Sequence, residues 1–288
     1  MTNKKMTIKR IIIYVVLAFL LTGIPIVVAY ACGVTMEHPA FELISYGMFG
    51  PALSSILTRL ITREGFQHMY LRVNWKGHGM YYLLAILLPV IICIVDGIVE
   101  TMVYGGFYSH EIFSELFLTA YIAYIFYGIA IGVTSFIIAL GEELGWRGYL
   151  MPKLQEVMGM PGTLVLGGII WGLWHAPMIL LYGLNYGTEH PVLGVLAMCV
   201  MCFGMGNILT FITMKSDSIY PAAIAHGVLD MVASLISVLF ISAQTATEHV
   251  FEIGLLDTLV AFVLGMIPFI LLIRSTGKKD HSLGGTVE

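Results

Sequence analysis

From Ile11 to Ala31 the chain carries no charged side chain, and residues 116–141, 191–214 and 258–273 are equally free of Asp, Glu, Lys and Arg. In lipid a backbone must satisfy its own N–H and C=O groups, so uncharged apolar runs of about 18 residues or more are read as membrane-spanning helices. Composition agrees. Apolar residues make up 58% and charged residues 11%, against about 25% charged in a soluble domain, and mean hydropathy is +0.90. The expected fold is an all-α, polytopic membrane helix bundle forming a single transmembrane domain over 1–288. Eight spans are expected, near 11–31, 42–62, 79–100, 116–140, 162–184, 192–214, 218–243 and 253–273.

The cations support that count. Lys and Arg concentrate on the cytoplasmic side of membrane proteins. With the N-terminus inside, eight spans place all 14 of them on one face: the N-terminal Lys4 to Arg10, then Arg59, Arg63, Arg72 and Lys76, then Arg147, Lys153 and Lys215, and finally Arg274, Lys278 and Lys279. The opposite loops carry Glu37, His38, Glu111, Glu189, His190 and Glu248 instead. The expectation is a multi-pass protein of the cell membrane with both termini cytoplasmic. Ala29-Tyr30-Ala31 resembles a signal-peptide cleavage site, but the preceding apolar run is longer than usual for one, and a retained anchor is the reading taken.

Cys199-x-x-Cys202 has redox or metal spacing, yet on an apolar helix the two are read as small buried fillers. Gly128-x-x-x-Gly132 and Gly168-x-x-x-Gly172 are read as close helix contacts. Asp96 and Glu100 fall near the outer end of the third span and are read as interfacial.

Ionisable groups inside a membrane are costly and usually functional. They cluster here at Gly141-Glu142-Glu143-Leu144-Gly145-Trp146-Arg147, at Trp171-Gly172-Leu173-Trp174-His175, and at His226-Gly227-Val228-Leu229-Asp230. Glu143 and Arg147 are one turn apart and can pair, while Glu142 is turned about 100° away and can face the bundle interior. His226 and Asp230 share one helical face, where the carboxylate can accept from the ring and orient it. Pro177, which lacks an N–H, loosens the helix beside His175, as backbone lining a cavity does. From their helical positions, Glu142, His175 and His226 are expected to converge in one cavity opening toward the inner leaflet.

The pattern Glu-Glu-x-x-x-Arg, aromatic-x-x-x-His and His-x-x-x-Asn/Asp resembles the CAAX prenyl endopeptidase and bacteriocin-processing (CPBP or ABI) family of intramembrane proteases, with a family-like core at about 116–243. Trp171 stands where that family usually has Phe, and Asp230 where its prenyl-processing members have Asn. The resemblance implies an endopeptidase acting near the cytoplasmic leaflet. In it Glu142 and His175 activate a water, and His226 with residue 230 stabilises the oxyanion, supported by Glu143 and Arg147. It also admits Glu142, His175 and His226 as a Zn2+ site with an open position. No His-Glu-x-x-His pair is present, and a metal-free glutamate mechanism is the reading taken. The expected partners are the lipid bilayer and a peptide or membrane-protein substrate, without nucleic acid; the sequence sets no oligomeric state. A proton- or ion-coupled transporter, which predicts internal repeats that the sequence lacks, and a non-catalytic immunity or scaffold protein are the alternatives.

Overall fold

The computed structural model describes residues 3–105, 115–237 and 240–282. Glu111 lies outside them, as do the side chains of Lys278 and Lys279. Every regular element among the described residues is helical. In order they are α1 (Asn3–Ala31), a 3-10 segment (Pro39–Phe49), α2 (Gly50–Thr62), α3 (Gly79–Tyr104), α4 (Glu115–Thr134), α5 (Phe136–Gly145) and a π-turn (Trp146–Leu150). There follow α6 (Met151–Trp174), α7 (Ala176–Tyr182), α8 (Pro191–Ser216), α9 (Tyr220–Ser237), α10 (Ala243–Glu248) and α11 (Val250–Ser282).

Six helical stretches among the described residues are long and apolar enough to cross a membrane: Lys4–Ala31, Pro39–Thr62, Gly79–Tyr104, Phe136–Tyr182, Pro191–Ser216 and Val250–Ser275. The eight expected spans therefore do not appear one for one. The chain breaks at Ser135, so the fourth span divides into α4 and α5, and α4 keeps only Ile122–Thr134 as a shorter apolar helix. Inside Phe136–Tyr182, Gly159 adopts φ 72° and ψ 177°, a conformation open to glycine, and separates two arms. The seventh span corresponds to α9, only 18 residues long and carrying His226 and Asp230.

The outward faces are more apolar than water would allow. Ile91, Ile94 and Ile98 on α3, Leu193, Leu196 and Val200 on α8, and Leu259, Val263 and Ile267 on α11 are all exposed. Spaced three or four apart, they form lipid-facing stripes. α8 occupies the centre. Gly204 and Gly265 bring α8 and α11 into backbone contact, and Gly168 and Gly172 press α6 against Phe203 and Cys199 of α8. Gly132 likewise meets the backbone of Val228 in α9. α1 is built into the bundle, with Tyr14 and Ala18 fully buried.

Contacts sort the loops into two ends. At one, Glu64 is bound by Lys153 Nζ (2.7 Å), Arg10 Nε (3.3 Å) and the Tyr149 hydroxyl (3.0 Å). The Arg59 guanidinium lies over the Tyr149 ring. Burial alone pushes Glu64 up, but Lys153, Tyr149 and Arg10 outweigh it and hold its carboxyl below the usual range. The 63–78 segment closes this end: Ile219 N–H donates to the Tyr70 carbonyl (3.0 Å) and Asn74 Nδ2 donates to that of Ser216 (3.0 Å). At the other end the Tyr182 hydroxyl donates to the Val34 carbonyl (3.0 Å), and the His190 ring meets Phe251. Arg10, Arg59, Lys153 and the segment holding Arg72 and Lys76 thus share one end, the grouping expected from their sequence positions.

Candidate active site

Glu142 and Glu143 lie at the C-terminal end of α5, where the helix widens into the π-turn, a local distortion common at functional sites. Two glycines let other backbones press against this turn. A Cβ at Gly141 would fall 2.7 Å from the Met48 carbonyl oxygen, and one at Gly145 would fall 2.6 Å from both the Pro51 carbonyl carbon and the Tyr14 hydroxyl. Both carboxylates are buried as a result.

Glu143 Oε1 accepts from Arg147 Nη1 at 2.8 Å, the expected one-turn pair, and from His226 Nδ1 at 2.9 Å. A carboxylate paired with Arg only accepts, so the His226 proton is assigned to Nδ1, and Nε2 is turned the other way. Asp230 Oδ2 is 3.8 Å from that Nε2, too far for a hydrogen bond. The bond expected from Asp230 is therefore made by Glu143. Gly227 packs against Phe136 and the Gly132 carbonyl, drawing α9 onto the α4–α5 junction so that the Glu143 carboxylate reaches the ring first. Asp230 keeps 40% of its side chain accessible, on a cavity wall.

Glu142 is held differently. Among the described residues no cation pairs with it. Its Oε2 accepts from two indoles, Trp171 Nε1 at 2.7 Å and Trp146 Nε1 at 3.1 Å. His175 occupies the break between α6 and α7. Its Nδ1 lies 2.9 Å from the Trp171 carbonyl; a carbonyl only accepts, so Nδ1 carries the proton and Nε2 keeps a lone pair. Cys202 Sγ lies 3.9 Å from the same Nδ1. Cys199 and Cys202 are both free thiols.

Glu142, His175, His226 and Asp230 line one cavity of about 910 Å3. Glu142 is seven residues, about 10 Å of helix, from Tyr149 in the cation-rich network, so the cluster lies in that half of the bundle. The cavity, however, extends away from it. Its further lining includes Phe41, Leu184, Asn185, Asp96 and Asp257, toward the end where Tyr182 meets Val34. The 63–78 segment and the packed rings of Tyr14, Trp146 and Tyr149 occupy the end nearer the cation-rich network. Glu100 is buried, not interfacial: it accepts from Ser237 Oγ (3.2 Å) and has Asp257 of α11 as a neighbour. Asp96 faces the cavity. Sequence reading gave Asp257 no part in this region, since the residue lies far along the chain from α3.

A metal fits this cluster poorly. Among the described residues no three His, Cys, Asp or Glu side chains are arranged to hold a metal ion, and one Glu142 oxygen is already committed to two N–H donors.

Comparison with known proteins places the cluster in context. Residues 126–232 match the family described as type II CAAX prenyl endopeptidase Rce1-like. All six residues of the sequence motifs, Glu142, Glu143, Arg147, His175, His226 and Asp230, fall within that match. The chain is also 30% identical over 138 residues to CAAX prenyl protease 2 of Methanococcus maripaludis, covering 43% of this chain and 44% of that protein. The match thus spans less than half the length of the relative.

Proposed function

We propose that this chain, whose residues 126–232 match the type II CAAX prenyl endopeptidase Rce1-like family, is an intramembrane endopeptidase that hydrolyses a peptide bond with a metal-free, glutamate-activated water. The observation that carries this reading is the Glu142 carboxylate: buried in a cavity of helical walls, unpaired with any described cation, and holding only one oxygen in hydrogen bonds. A base with a free oxygen facing a cavity that admits substrate has the geometry that proton abstraction requires.

In the proposed reaction the substrate carbonyl lies between Glu142 and His226. Water oxygen adds to the carbonyl carbon while Glu142 takes a proton from it, with the lone pair of His175 Nε2 holding the second water hydrogen. His226, flanked by Glu143 at Nδ1 and Asp230 near Nε2, acts as an imidazolium and donates through Nε2 to the oxyanion. The C–N bond then breaks as the proton on Glu142 passes to the leaving amine. Substrate enters from the end opposite the cation-rich network, where the cavity extends. A prenylated protein, a peptide precursor and a membrane-protein segment all supply the required bond.

Cleavage of a peptide library by detergent-purified protein, compared with Glu142→Ala, tests this reading. The wild type should yield discrete products and the variant none. Absence of cleavage by folded wild type contradicts it and favours a transporter or scaffold, whereas equal cleavage by both contradicts the assignment of Glu142 as the base.

A further inference from the structure

Trp171 touches more of this cluster than any charged residue does. Its indole N–H donates to Glu142 Oε2 at 2.7 Å, and its carbonyl accepts from His175 Nδ1 at 2.9 Å. The Arg147 guanidinium lies 4.2 Å above its ring, and the His226 ring meets it edge-on at 5.5 Å and 76°. The residue has little freedom. It is 6% exposed, and Gly168 and Gly172, on either side of it, hold α6 in backbone contact with α8.

We infer that Trp171 is a positioning residue of the site, whose N–H, together with that of Trp146, fixes Oε2 of Glu142 and leaves Oε1 turned to the cavity as the reactive oxygen. Indole is a donor only, and the bond strengthens with negative charge on the acceptor, so it also favours the carboxylate form from which Glu142 acts. Two donors on one oxygen distinguish the oxygens of a group that would otherwise present either. The other charged and titratable groups around Glu142 are Tyr14 of α1, Glu143 and Arg147 beside it, His226 and Asp230 of α9, and Cys202 of α8. None of them donates a hydrogen bond to Glu142 among the described contacts, which leaves the two indoles as its fixed donors. The positioning role rests on the endopeptidase reading; the bond itself does not.

The test is the pH profile of Trp171→Phe, which keeps an aromatic ring for Arg147 and His226 and removes only the N–H. kcat/KM should fall roughly 10- to 100-fold, as losses behind a functional group commonly do, and the acidic limb should move up by about one pH unit. Trp146→Phe, which removes the longer bond, should move it less. A lower rate with an unmoved limb in a folded Trp171→Phe protein overturns the inference. A second measurement needs neither turnover nor that variant. In 15N-tryptophan-labelled Glu142→Leu protein, the Trp171 indole N–H resonance should shift upfield from its wild-type position. An unshifted resonance overturns the inference, whereas a shift in a protein that cleaves nothing upholds the bond and defeats only the endopeptidase reading.

Discussion

Glu64 and Glu142 are both largely buried carboxylates in the same half of the bundle, and they are held in opposite ways. Glu64 meets two cations and a phenol: Lys153, Arg10 and Tyr149. Each donor is matched to an oxygen, and the group ties α1, α2 and α6 together. Glu142 meets two neutral indole N–H groups on one oxygen and a cavity on the other side. A carboxylate compensated by cations is a structural tie. One held only by neutral donors keeps a proton-accepting oxygen in reserve, as a general base must.

Glu143 stands between these cases, joining Arg147 to His226, and breaking it should have the largest effect. Glu143→Ala leaves the buried Arg147 without its carboxylate and His226 without its orienting acceptor. Removing one partner of a buried pair costs about 3–5 kcal/mol, so thermal unfolding in detergent should fall sharply and peptide cleavage should be lost. Unchanged stability would mean that Arg147 does not depend on this bond. Asp230→Asn should cost less, about 10-fold in kcat/KM, at the low end for residues behind a functional group. Its oxygen is 3.8 Å from Nε2, whereas Glu143 holds the ring directly. A larger loss for Asp230→Asn than for Glu143→Gln, with both variants folded, reverses the assignment of which acid orients His226.

The smallest effect on cleavage belongs to Glu64. Glu64→Gln should lower stability by about 2 kcal/mol, the scale of a hydrogen bond to a charged group, with cleavage unchanged once folded. The pH dependence has a definite sign. Glu64 in the folded protein lies below its ordinary value, so its contribution is present above the ordinary carboxylate range and is lost as pH falls through the folded value. Unfolding measured against pH should therefore show a shallower acid-side decline in Glu64→Gln than in wild type.

What the sequence revealed follows from the range of each interaction. Uncharged runs disclosed the helical bundle, and one-turn spacing disclosed the Glu143–Arg147 pair, because both are local. The His226–Glu143 bond joins residues 83 apart and the Trp171–Glu142 bond residues 29 apart; their existence depends on how α5, α6 and α9 pack, which no spacing encodes. The i, i+4 spacing of Trp146 and Glu142 was a local signal open to reading. The one-turn relation of His226 and Asp230 was visible too, but spacing alone did not show that a nearer acid takes the ring. Asp96 and Glu100 looked interfacial from their place in α3, and only the packing of α9 and α11 around them makes Glu100 buried.

The most direct measurement sets the two contrasted carboxylates side by side: kcat/KM for a cleavable peptide with wild type, Glu142→Gln and Glu64→Gln, each checked for folding in the same detergent. The account predicts no turnover from Glu142→Gln and wild-type turnover from Glu64→Gln. Turnover that survives in Glu142→Gln would contradict the assignment of the uncompensated carboxylate as the base.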